Sequence, residues 1–205
     1  MKFRIIVLLL FAISSTLYPQ SADSVKTWEA SAGIDNTLIT GVYLVGVSAS
    51  FDRKWLHTEV GFCEDDVNTF SAKAGYNFSG GGKLQFKVTP LIGFMVGKSY
   101  GLLPGVSLAL DYGNFSFTGS STIIAYSSSK RDESYIYGSY ELDYAITDFL
   151  YAGVSVSRTK LHQTKRTLDP GIGAGLSLFG FTLSSYVYDL FLGEPFYTVS
   201  FSYSM

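Results

Sequence analysis

Residues Phe196–Met205 read FYTVSFSYSM. Tyr197, Val199, Phe201, Tyr203 and Met205 put a large apolar group at every second position, and Thr198, Ser200, Ser202 and Ser204 fill the gaps with small polar ones. Side chains on a strand alternate between faces, so this stretch forms a strand with one greasy and one wet side. Chain ends usually fray. An end patterned up to its last residue is held in a sheet.

The alternation repeats along the chain. Trp28, Ala30, Ala32 and Ile34 form one apolar row, Phe70, Ala72, Ala74, Tyr76 and Phe78 another, and Leu84, Phe86, Val88, Pro90, Ile92, Phe94 and Val96 a third. About twelve such rows can be traced; a tilted strand needs roughly 9 to 11 residues to cross a bilayer. A count of ten stays open if the row at Trp28–Ile34, or the one at Phe115–Ala125 interrupted by Gly119 and Ser121, is misread.

Connections of two kinds separate the rows. SFDRKW, FSGGGK, DYGNF, AITDFL and SLFGF are tight turns, mostly with the Gly, Asn or Asp that hairpins require. IDNTLIT, CEDDVNT, VGKSYG, YSSSKRDES, RTKLHQTKRTLDP and YDLFLGEP are mostly longer and more polar. The two kinds alternate, as they do when all turns lie at one end of a sheet and all loops at the other. An even number of strands then puts both chain ends on the turn side.

Charged residues make up 16% of the 205-residue chain and aromatics 16%, with 21 glycines. That charge content is low against the roughly 25% usual for soluble domains. Lys2 and Arg4 followed by IIVLLLFAI and a polar exit predict a signal peptide over 1–22, cut near Gln20 or Ala22, with one barrel domain over 23–205. With Lys2 and Arg4 removed, 13 basic residues face 17 acidic ones, a net charge near −4 that points away from nucleic acid. The single cysteine, Cys63, excludes an internal disulfide.

A soluble sandwich or lipocalin-like barrel also alternates, with its apolar side inward. Here the polar face is mostly Gly, Ser and Thr, as at Ser116, Thr118, Ser155, Gly173 and Ser184, which suits the inside of a closed cylinder. Phe51, Trp55, Tyr112, Phe115, Tyr144, Phe149 and Phe181 gather beside the tight turns, as a girdle at a bilayer edge would. In these features nearly all of the expected mature chain resembles the small outer-membrane β-barrel proteins of Gram-negative bacteria. The resemblance implies a closed, antiparallel, up-and-down, all-β transmembrane barrel. It also implies that Val199, Phe201, Tyr203 and Met205 form the C-terminal signal for the barrel-assembly machinery, Met205 departing from the Phe most usual there.

If the apolar rows face lipid, parity puts Glu29, His57, Glu59, Cys63, Lys73, Lys87, Asp111, Glu141 and Asp143 inside. These charges are either a self-neutralising network that braces the wall or the lining of a polar pore. His57 and Cys63 lie about 20 Å apart along a strand, too far to share one ion, so no metal and no cofactor is expected. Hydrolysis needs a base beside Ser, and only His57 and His162 are available. No Ser, His and acid set matches the outer-membrane hydrolases, so no catalytic residue is assigned and an enzyme is not expected. Arg158, Lys160, Lys165 and Arg166 form either a solvated loop or a contact for lipopolysaccharide phosphates. The leading expectation is a monomeric, passive, narrow channel. The alternatives are a closed-lumen structural or surface-interaction barrel that binds through its outer loops, and a lipid hydrolase.

Overall fold

A computed structural model of the chain describes residues 28–39, 42–63, 68–98, 100–127, 134–161, 167–191 and 194–205. The expected signal peptide lies outside them. The described residues form β1 (Glu29–Ile39), β2 (Val42–Arg53), β3 (Leu56–Phe62), β4 (Thr69–Tyr76), β5 (Phe78–Gly81), β6 (Leu84–Gly97) and β7 (Gly101–Leu102). They continue as β8 (Gly105–Tyr112), β9 (Phe115–Tyr126), β10 (Tyr135–Ala145), β11 (Leu150–Leu161), β12 (Thr167–Leu178), β13 (Phe181–Tyr188) and β14 (Phe196–Ser204).

Two pairs of these segments are halves of one strand. Gly75 pairs with Leu91 and Phe78 with Val88, so β4 and β5 meet β6 in a single unbroken register. Phe94 pairs with Leu102 and Leu91 with Gly105, so β7 and β8 do the same on the other side of β6. Proline causes each interruption: Pro90 stands opposite the first and Pro104 lies within the second, and neither has an N–H for the ladder. Counted this way, twelve antiparallel strands follow one another around a closed ring.

Closure falls where the C-terminal pattern requires it. β14 pairs with β13 on one side and with β1 on the other, from Leu38↔Tyr197 to Ser31↔Ser204. The final residue is included: the Met205 N–H donates to the Ala30 carbonyl at 2.9 Å, and the Ala30 N–H donates back at 3.1 Å.

The expected tight turns are all present. Phe179 and Gly180 both have positive φ, 54° and 83°, between the paired Leu178 and Phe181, which is the backbone of a two-residue hairpin whose twist matches its strands. Around these turns the aromatic side chains meet, stacked for Trp55 and Tyr76 with ring centroids 5.7 Å apart and tilted for Phe115 and Tyr144 at 5.0 Å and for Phe181 and Tyr203 at 4.5 Å.

Two of the segments read as loops are largely strand. Ile34–Ile39, from IDNTLIT, belongs to β1, paired on both sides. Arg158, Thr159, Lys160 and Leu161 belong to β11, and Thr167–Pro170 to β12. Backbone pairing carries a ladder past the point where apolar alternation stops, so polar residues there were mistaken for loop. Residues 162–166, with His162, Lys165 and Arg166, lie outside the described residues.

One row of each strand is apolar and exposed all round the ring, as at Ile92, Phe94, Leu142, Val154, Ile172 and Phe201. The other row turns inward. A small apolar cluster is also found on the inside: Met95 of β6, Leu103 of the Pro104 break and Ile124 of β9 are almost fully buried, with Tyr126 and Tyr135 packed against them.

Candidate functional site

On the inner row, β2, β3, β4 and β6 bring their polar groups together because the register sets Asp52 opposite His57, Glu59 opposite Lys73 and His57 opposite Gly75. The Lys73 ammonium lies 2.9 Å from Glu59 Oε1 and donates to it. Glu59 Oε2 stands 3.6 Å from His57 Nε2, and His57 Nδ1 is 3.0 Å from Asp52 Oδ1. Asp52 also accepts from Asn77 Nδ2 at 2.6 Å and has Lys87 Nζ 3.8 Å from its other oxygen. Thr89 donates to Asn77 Oδ1 at 2.6 Å and closes the far end. The Lys73 side chain is only 7% exposed, while that of Lys87 is 40% exposed. This wall joins two lysines and two carboxylates through one imidazole.

The other side differs. On β12, Gly171, Gly173 and Gly175 occupy the inner row, and a Cβ at any of them would strike the ring of Tyr188, Tyr186 or Tyr151 respectively. These rings lie across the bare glycine backbone. Tyr186 donates to Asp143 Oδ1 at 2.7 Å, and Ser155 Oγ lies 2.9 Å from the Tyr188 hydroxyl. Asp143 covers Gly153 in the same way. The inner face here is aromatic as well as small: Tyr186 and Tyr188 share the row of Thr182 and Ser184 on β13, and Tyr151 stands opposite Gly175 from β11. The available signal was the run of alternate glycines, which leaves space that neighbours can fill.

Between the two walls, β8, β9 and β10 present Ser107, Ala109, Thr118, Ser120, Ser139 and Glu141 around a recess of about 350 Å³. A second recess, about 260 Å³, is lined by Asn114, Ser116, Asp143, Ala145 and Tyr151.

The remaining residues singled out from the sequence are dispersed. Glu29 is exposed at the start of β1, opposite Asp52. Asp111 accepts from Ser116 Oγ at 2.8 Å. Cys63, just after β3, has a φ of 55° and accepts from the Asn68 N–H through its sulfur, so it turns the chain instead of continuing the row of His57 and Glu59. Arg158 pairs with Leu168 in the outward row of β11. Asp52 lies in the expected turn SFDRKW, and Asp35 and Asp169 in the expected loops, so alternation does not single them out.

A closed, up-and-down, twelve-strand barrel with an apolar exterior is the fold of small outer-membrane porins. A solved structure titled KdgM porin is similar with a TM-score of 0.64 at 13% identity, over 85% of this chain and 99% of that one. A second, KdgM porin in complex with disordered oligogalacturonate, is similar at 0.63 and 12% identity over the same shares. No protein-family model matches the chain, and no curated protein matches its sequence. At such identity the likeness establishes the fold.

Proposed function

We propose that the protein is an integral outer-membrane barrel, exported through an N-terminal signal and inserted as a monomer, that acts as a passive, narrow channel for ions or small solutes. The observation that carries this reading is the division between the two rows. Exposed Leu, Ile, Val and Phe encircle the outside, where water would disfavour so continuous an apolar surface. Serine, threonine and charged groups line the inside, where a recess of about 350 Å³ stays open. Glu29, His57, Glu59, Lys73, Lys87, Asp111, Glu141 and Asp143 are its polar lining, the Lys73–Glu59–His57–Asp52 group also bracing the wall. Val199, Phe201, Tyr203 and Met205 serve the assembly machinery, and Arg158, with Lys160, Lys165 and Arg166, contacts lipopolysaccharide phosphates.

A second reading, a closed barrel that binds through its outer loops, is favoured by one feature: the Met95, Leu103 and Ile124 cluster fills part of the interior. Planar-bilayer recording on protein shown to be folded by its heat-dependent gel mobility separates the two. Discrete, lasting current steps are expected; silence from inserted barrels would overturn the channel and leave the closed barrel.

A further inference from the structure

The inner row is lopsided in charge. Among the described residues its lysines are Lys73 and Lys87, which already stand against Glu59 and Asp52. Arg53 and Arg158, paired with Leu56 and Leu168, belong to the outward row. Asp35, Asp111, Glu141, Asp143 and Asp169 keep inner positions, and among the described residues none has a Lys or Arg within ion-pairing distance. They come from four strands of the ring, β1, β8, β10 and β12. The open space lies beside two of them: Glu141 borders the larger recess and Asp143 the smaller, and among the described residues no basic side chain borders either.

From this we infer that the passage prefers cations, and that Glu141 and Asp143 are the groups that set the preference; the inference rests on the channel reading above. Carboxylates along a narrow, low-dielectric wall focus a negative potential that concentrates cations and excludes anions. The Lys73–Glu59 and Lys87–Asp52 pairs largely cancel their own fields and contribute less. An acidic sugar chain, such as the oligogalacturonate held by the KdgM porin, meets the unfavourable sign here.

The test is the reversal potential of the full-length barrel in a planar bilayer under a KCl gradient. The wild type should reverse at a potential of the sign set by K⁺, with K⁺ several-fold more permeant than Cl⁻. Glu141→Gln with Asp143→Asn should move that ratio towards unity, and each single change part of the way. Both replacements keep an oxygen acceptor in place, including the one Tyr186 uses, and heat-dependent mobility verifies the fold of each variant. Steps that reverse near zero or at the Cl⁻ side in the wild type, or a ratio unchanged in the double variant, would overturn the inference while leaving the channel intact. Absence of any steps would overturn both.

Discussion

Lys73 shows at the level of one residue what the interior asks of its charges. Its ammonium is nearly buried, 2.9 Å from Glu59, and Glu59 also faces His57. Removing one partner of a buried pair leaves the other charge uncompensated, at about 3 to 5 kcal/mol, whereas removing both often costs much less. Lys73→Met should therefore destabilise the barrel by about 3 kcal/mol, and Glu59→Gln combined with Lys73→Met by clearly less, measured by urea unfolding in lipid vesicles. Costs that simply add would mean the pair is not coupled. The sequence brought His57, Glu59, Lys73 and Lys87 to neighbouring strands. It did not reveal that Asp52 joins them, because Asp in SFDRKW is equally what a turn would carry, and only the register distinguishes the last residue of a strand from the first of a turn.

Among the elements, β14 was the most legible and β12 the least. Alternation to Met205 predicts a strand held in a sheet, the resemblance to closed barrels implies its pairing on both sides, and the ladder to β1 runs to the final residue. Deleting 201–205 would strip Ala30–Ile34 of β1 and Phe181–Leu183 of β13 of their partners. In hydrocarbon each unpaired N–H or C=O costs several kcal/mol. The shortened chain should fail to give the compact, heat-sensitive gel band after addition to vesicles; a normal yield of that band would mean closure does not depend on these residues. On β12 the pattern of alternate glycines said only that the inner face is small. That Tyr186, Tyr188 and Tyr151 occupy it depends on the register with the adjoining strands β13 and β11, which a reading of single strands cannot supply.

For the whole molecule, the strand count, the turns and the closed ring follow from a period of two and from turn chemistry, both local properties. The strand extensions into the expected loops and the apolar cluster around Leu103 are not written in that period. The extensions arise from backbone pairing between neighbouring strands where apolar alternation has stopped, and the cluster from the break at Pro104. The central claim is that one row of each strand meets lipid while the other meets water inside the barrel. It is tested most directly along β9, with single cysteines placed in turn at Phe117, Thr118 and Ser120 in a Cys63→Ser background and the barrel folded into vesicles. Thr118→Cys and Ser120→Cys should react with a small water-soluble thiol reagent, and a fluorophore at Phe117→Cys should be quenched by a lipid-bound quencher. Equal water access at all three positions, or Thr118→Cys and Ser120→Cys both unreactive in folded barrels, would contradict the account.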